Sequence, residues 1–433
     1  MVREYKDSGI EWIGRIPKNW KVTEVKRIMR NKSVRNQPSA MVLSLYRDYG
    51  IVPKDSRDDN FNVTSEDTTN YKVVGVGDFV INKMKAWQGS MAVSEFDGII
   101  SPAYYVCSFT DNNICRKFIH YLLRNESYKP EYMRLSTGLR IGQWDLGIDD
   151  FMKIPIVLPP FEEQERIATF LDKKCAEIDS LVELQEQMIA QLTDYKQSVI
   201  TEAVTKGLNS EAELVPSGID WIGDVPKGWK IARIKNVASL YGRIGFRGYT
   251  SEDLNKDGEG AITLSPSNML PMGMDYSNVT YLSWAKYIES PEIMIQNNDL
   301  LMVKTGSSYG KVAYVDSLPK EATINPQILR IVPKISSKYL GYFMQTPIFL
   351  YQVEGGVVGG TIPTIAQEKI SNFKILLPSE DEQRKIVRHL DSICKIIDSI
   401  IDVKRQKIEA LKDYKKSVIF EAVTGKTDII NYP

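Results

Sequence analysis

The residues best equipped for catalysis are scarce and scattered. The 433-residue chain has two histidines, His120 and His389, and four cysteines, Cys107, Cys115, Cys175 and Cys394. No CxxC pair occurs, and neither histidine has a carboxylate or cysteine cluster beside it. The pattern therefore points away from a zinc site, a Ser-His-Asp arrangement and a disulfide scaffold. Gly306–Lys311 reads GSSYGK and resembles a phosphate loop, but one residue is missing between the glycines and Val312 stands where Ser or Thr is needed. Asn325-Pro326-Gln327 lacks the second proline and the aromatic of an amino-methyltransferase tetrapeptide, and no glycine-rich cofactor loop opens a helix.

A different chemistry recurs. Segments 77–93 (GDFVINKMKAWQGSMAV) and 298–315 (NDLLMVKTGSSYGKVAYV) each read as strand, polar loop, strand. The loops hold Lys83, Lys85, Trp87, Gln88 and Ser90 in the first, and Lys304, Thr305, Ser307, Ser308 and Lys311 in the second. Such side chains bond phosphates and base edges, and small residues admit a close backbone approach. Either loop alone reads as an ordinary solvated hairpin; recurrence of the same chemistry in both halves favours contact. A second matched pair, 136–150 and 357–371, is rich in Gly, Thr, Arg and Gln, and supplies Arg140, Gln143, Thr361 and Thr364. It reads either as a connector or as backbone that tracks a groove. Arg243 and Arg247, on the Gly-rich stretch 241–248, suit phosphate or guanine.

The elements that must carry these loops are legible by period. Short strands are expected at 41–46, 71–84, 90–96, 103–109 and 154–158, with a helix near 115–123. The second half repeats the order with strands at 261–265, 299–304, 311–315, 328–332 and 373–377 and a helix near 339–345. Two mixed α/β regions, 1–158 and 208–377, therefore alternate with segments 159–207 and 378–433. The segment 161–205 has no Gly or Pro, and a helix from 162 to 205 would be about 65 Å long. Gly207 and Gly425 stand just past the two runs as stops. Leu171, Ile178, Leu192 and Val199 form one seven-residue row, and Leu181, Met188 and Tyr195 a second. Leu390, Ile397, Leu411 and Val418, with Ile393, Ile400 and Tyr414, repeat both. Interleaved rows predict a coiled-coil seam. The rows break at Gln185 and Lys404, and at Met188 and Lys407, which reads either as a solvated midpoint or as polar residues fixing register. Cys175 and Cys394 are expected to be small buried thiols.

The chain is an internal repeat. Residues 8–28 return at 217–237 with 11 of 21 positions identical, and 194–205 return at 413–424 with 10 of 12 identical. Trp12, Trp20, Trp221 and Trp229 recur at matching places and are expected to anchor cores. Composition is that of a globular protein, 43% hydrophobic and 25% charged, with 55 basic and 55 acidic residues. Net neutrality argues that a partner supplies much of any phosphate neutralisation. No apolar run reaches the length of a membrane span, the start lacks a secretory signal pattern, and a reducing cytoplasm is the expected setting.

These motifs carry a resemblance. The W-I-G-x-[IV]-P-x-x-W lead-in, the LPP-x-x-EQ-x-x-I helix start at 158–167 (LPSEDEQRKI at 377–386) and the DYK-x-SVI-x-EAVT helix ends are similar to those of the specificity subunits of type I restriction–modification systems. KMKAWQGS, KTGSSYGK and TINPQ resemble loops of such domains. The resemblance implies an α/β protein with an internal pseudo-two-fold, in which two target recognition domains each read half of a split DNA sequence. The two long antiparallel helices would set the spacing. It implies no catalysis and no cofactor in this chain. Double-stranded DNA, two methyltransferase subunits carrying S-adenosylmethionine and motor–nuclease subunits using ATP and Mg would be its partners, with no membrane. Ser379, where the first copy has Pro160, is expected to loosen the second helix start. A methyltransferase fused to a recognition domain, and a coiled-coil spacer holding two protein-binding domains, are the rival readings.

Overall fold

The computed structural model describes residues 3–429 except 48, 58–63, 66, 141–142, 256–257 and 360–361. It divides into two compact units: residues 1–186 with 404–433, and residues 187–403. The division cuts across both long helices, Phe161–Lys206 and Glu380–Val423. Each unit thus owns one half of each helix. Gly207 and Gly425, both at φ near +70° or just above, turn the chain out of the helices.

Within the first unit a four-stranded antiparallel sheet runs in the order Met29–Lys32, Tyr104–Phe109, Phe79–Asn82, Met91–Val93. The second unit repeats it as Ala238–Gly242, Ile328–Pro333, Leu300–Val303, Val312–Tyr314. The expected strand 71–84 is two strands, because the chain turns at Gly77 (φ +87°) and Asp78 accepts the N–H of Gly75. In each unit a strand of the lead-in closes on the strand just before a long helix: Lys21–Glu24 pairs with Pro155–Leu158, and Lys230–Arg233 with Lys374–Leu377. The second unit adds a further four-stranded sheet, with a parallel pair between Ala261–Leu264 and Ala322–Ile324. Trp20 is fully buried; Trp12, Trp221 and Trp229 are half-buried and pack on the cores.

The helices run antiparallel inside each unit. In the first, Lys415 donates to Asp179 at 2.7 Å and Lys404 to Gln185 at 3.4 Å, so one number falls as the other rises. In the second, Lys196 meets Asp398 at 2.6 Å. The two ion pairs are the same contact shifted by 219 residues. Being exposed on their acidic side, they are worth at most about 1 kcal/mol each. Apolar burial does more. Leu171, Ile178, Leu390 and Ile397 are buried as expected; of the second row only Ile393 is half-buried against a core, and Leu181, Met188, Tyr195, Ile400 and Tyr414 are exposed. The second row's place is taken by Cys175, Val182, Ile189, Lys196 and Ala203, four residues beyond each member of the first row, and by Cys394, Ile401, Ile408, Lys415 and Ala422. Gln185 is buried and bonded to Lys404, so this midpoint is a polar contact inside the seam and not a solvated break. Cys175 and Cys394 are buried free thiols, pushed up in pKa by that burial.

The motif glutamines explain how each helix start grips its α/β region. Gln164 donates to Pro159 O at 2.9 Å and accepts from Cys115 N, which caps the helix Arg116–Arg124. Gln383 donates to Pro378 O at 3.0 Å and accepts from Ser336 N, beside the helix Ser337–Phe343. Asp172 takes Lys117 and Tyr121, and Asp391 takes Lys338 and Tyr342, in matching geometry. Ser379 does not loosen its helix: its hydroxyl accepts Glu382 N at 3.3 Å as an N-terminal cap. Each buried glutamine satisfies a carbonyl at the helix start and an N–H of the α/β region. Gln164→Leu and Gln383→Leu are each expected to cost about 1–3 kcal/mol in chemical denaturation. An unchanged midpoint and slope would show that the bonds are dispensable.

Candidate nucleic-acid interface

The chemistry-bearing loops follow the central strands of the two equivalent sheets. In the first unit, strand Phe79–Asn82 leads into a loop with a single 3-10 turn, Ala86–Gln88, ended by Gly89 at φ +79°. In the second, Leu300–Val303 leads into the loop 304–311, which returns directly as strand Val312–Tyr314. A phosphate loop would have to open a helix there, and this one opens a strand.

The second matched pair forms hairpins. Ser136–Arg140 pairs with Gln143–Leu146, and Val357–Val358 with Thr364–Ile365. Each hairpin is fastened to the lysine loop of its own unit by the same bond. Leu146 N donates to Lys83 O at 3.1 Å, and Ile365 N to Lys304 O at 2.8 Å. In the first unit Trp144 adds a ring contact to Trp87 at 5.1 Å, whose Nε1 donates to Met84 O. In the second, Thr305 bridges Thr364 and Gly306 N donates to Pro363 O. Two segments far apart in sequence thus become one surface per unit, from the same backbone logic. Trp144 is a residue that sequence reasoning missed; its place inside the matched segment 136–150, beside Gln143, was the available signal.

Within the first surface Lys85 is exposed, and Lys83, Trp87 and Gln88 are half-buried. Lys83 Nζ lies 5.7 Å from the ring centre of Tyr105. Ser90 is only 2% exposed, so it is withdrawn as a contact residue: the turn folds its side chain inward at the start of the next strand. Arg140 and Gln143 face each other as backbone partners across the hairpin tip.

Within the second surface Ser307, Ser308 and Thr364 are exposed, and Thr305 is half-buried. Lys304 is half-buried with its pKa lowered by burial, and Lys304 N donates to Gln327 O, tying the TINPQ segment to the same loop. Lys311 spends its ammonium on Pro266 O at 3.1 Å. Thr361 lies outside the described residues.

Arg243 is a correction. It is 7% exposed, with Nε and Nη2 on Ile324 O, Nη2 on Thr323 Oγ1 and Nη1 on Arg247 O, and its guanidinium lies 5.0 Å from the ring centre of Tyr249. It pins its loop to strand Ala322–Ile324 and has no fork left for a base. Arg247 is half-buried, 3.5 Å from Glu292.

Groups able to do acid–base or metal chemistry do not gather here. His120 is half-buried, with Nδ1 accepting Val93 N, and desolvation pushes its pKa down to about 3. Among the described residues no cluster of three His, Cys, Asp or Glu can hold a metal, and no helix is long and apolar enough to cross a membrane. What the surfaces offer is cations, amides, hydroxyls and an aromatic pair on closely fastened loops.

The chain is similar to known proteins over nearly all of its length. Residues 17–194 and 226–412 match the family described as the type I restriction modification DNA specificity domain. The MjaVIII specificity subunit of Methanocaldococcus jannaschii is 24% identical over 437 residues, covering 96% of this chain and 95% of the relative. The EcoKI specificity subunit of Escherichia coli K12 is 23% identical over 320 residues, covering 71% and 65%. A chain from a structure concerned with assembly and conformational transition of a type I restriction–modification system superposes with TM-score 0.70 at 16% identity, covering 95% of this chain and 99% of that one. The HsdS subunit of Thermoanaerobacter tengcongensis gives 0.52 at 16% identity, with 95% and 98% covered. With both repeats matched across most of its length, the chain belongs to the type I restriction–modification DNA specificity family.

Proposed function

We propose that this chain reads a bipartite DNA sequence, one half-site through the surface built on Lys83, Lys85, Trp87, Gln88, Arg140 and Gln143, the other through Lys304, Thr305, Ser307, Ser308, Thr361 and Thr364. Regions 1–158 and 208–377 act as the two target recognition domains, and 159–207 and 378–433 as the spacer elements. The observation that carries the reading is the repeated fastening of a hairpin to a lysine loop, Leu146 N to Lys83 O and Ile365 N to Lys304 O. Two surfaces with one scaffold and different side chains suit two different short sequences, read mainly through the major groove.

As a specificity subunit the chain is non-catalytic. Two methyltransferase subunits supply S-adenosylmethionine and methylate adenine, and motor–nuclease subunits supply ATP-driven translocation and cleavage. The 55 basic and 55 acidic residues of this chain leave much of the phosphate clamp to those partners. The coiled-coil spacer reading leaves the matched polar loops without a task, and the fused methyltransferase reading has no cofactor loop to rest on.

The long helices act as the ruler. Inserting four residues before Gln185, about one helical turn, is expected to lengthen the unread spacer while both half-sites keep their bases. Methylome sequencing checks it; altered half-site bases with the old spacer contradict the ruler.

Gln88→Ala is expected to relax one half-site only, and Lys304→Ala to weaken only the other, each by about 1–3 kcal/mol if the side chain touches a base. Binding measured against a panel of single-base variants shows which half responds. Equal loss across both halves would mean that the surfaces do not read independently.

A further inference from the structure

Six charged side chains are buried among the described residues: Lys72, Asp78, Glu163, Arg243, Asp299 and Arg330. Four of them are neutralised. Lys32 meets Asp78, Arg3 meets Glu163, and Arg330 meets Asp299 at 2.7 Å. Arg243 is saturated by carbonyl and hydroxyl acceptors. Lys72 stands apart. It is 7% exposed, donates one hydrogen bond, to Tyr104 O, and has no carboxylate within ion-pair distance among the described residues. Its charged neighbours are cations: burial first, then Lys83 and Arg35, push its pKa down.

Lys72 and Lys83 converge on one aromatic ring. Their ammoniums lie 5.2 and 5.7 Å from the centre of Tyr105. Ring quadrupoles attract cations weakly, and two like charges around one ring repel. Asp145 and Asp149 are near enough to raise the Tyr105 hydroxyl, after burial, yet neither pairs with either lysine. A buried cation with a single carbonyl acceptor lowers stability unless an anion completes the site. Tyr105 and Lys83 are half-buried, so the pair reaches solvent beside the loop 83–90.

We infer that Lys72, with Lys83 across the Tyr105 ring, is a phosphate-neutralising residue that seats the DNA backbone of the half-site facing the first unit. This rests on the DNA-reading function proposed above and adds to it a residue of another kind. Lys72 positions the duplex and reads no base. It sits on strand Lys72–Val74, outside the matched loops, where the repeat gives no hint of it.

The test uses the full chain co-purified with a methyltransferase subunit and a duplex carrying the methylated site. Lys72→Met is expected to weaken binding roughly tenfold, the size of one charge-assisted hydrogen bond. It should make the slope of log K against log salt shallower by about 0.9, one phosphate's share, and leave base preference intact. The melting temperature of the variant should stay level or rise, since a buried charge is gone; a merely structural lysine would lower it. Lys72→Arg should keep the salt slope. An unchanged affinity and slope in Lys72→Met, or a lowered melting temperature with Lys72→Arg equally defective, overturns the inference. Absence of selective binding by the unaltered complex would instead defeat the DNA-reading function itself.

Discussion

An isolated half-helix with one apolar stripe has nowhere to bury it, and that constraint organises the molecule. Each compact unit closes only by drawing in half a helix from one part of the chain and the opposite half of another. Ala422 and Val423, at the end of the second long helix, belong to the core that holds Trp20, four hundred residues upstream; Ala203 and Val204 belong to the core beside Trp229. Local propensity makes the helices, but their ends are held by cores built from distant sequence. A specificity protein gains from this. Neither α/β region can drift along its helix without breaking the apolar seam and the buried glutamine at each helix start.

The two halves solve one problem with slightly different parts. The buried acid before each central strand is neutralised by Lys32 from the edge strand two places away in the first unit, and by Arg330 from the adjacent strand in the second. The acid preceding each motif glutamine is engaged by Arg3 on one side and by the Trp229 indole N–H on the other. The invariant element is the framework, the glutamine bridge and the Lys–Tyr–Asp lock. The loops on top differ freely because their backbone fastening does not depend on side-chain identity.

Much of this is legible in the sequence because repeats double every signal. The long helices, their glycine stops and most of the sheet strands follow from period and punctuation. The second seam row was misplaced for a definable reason. A seven-residue spacing gives the period but not the phase, and Leu181, Met188 and Tyr195 look more apolar than Cys175, Lys196 and Ala203. Yet Lys196 is tolerated in the seam because its stem packs while its ammonium reaches Asp398. The pairing of strand Lys21–Glu24 with Pro155–Leu158 was invisible, since a contact between the two ends of one region leaves no local pattern. Arg243 misled for a similar reason: a glycine-rich setting advertised exposure, and a distant strand captured the guanidinium. Lys72 was passed over because one lysine in an apolar strand carries no spacing signal at all.

The central claim is that two unlike readers are held at one fixed separation, and the direct measurement is the methylome of a host expressing this chain with its methyltransferase subunit. The account predicts methylated adenines within a split motif, two short defined blocks flanking a stretch of constant length in which any base is accepted. A single unbroken motif, or blocks separated by a variable number of bases, would contradict it.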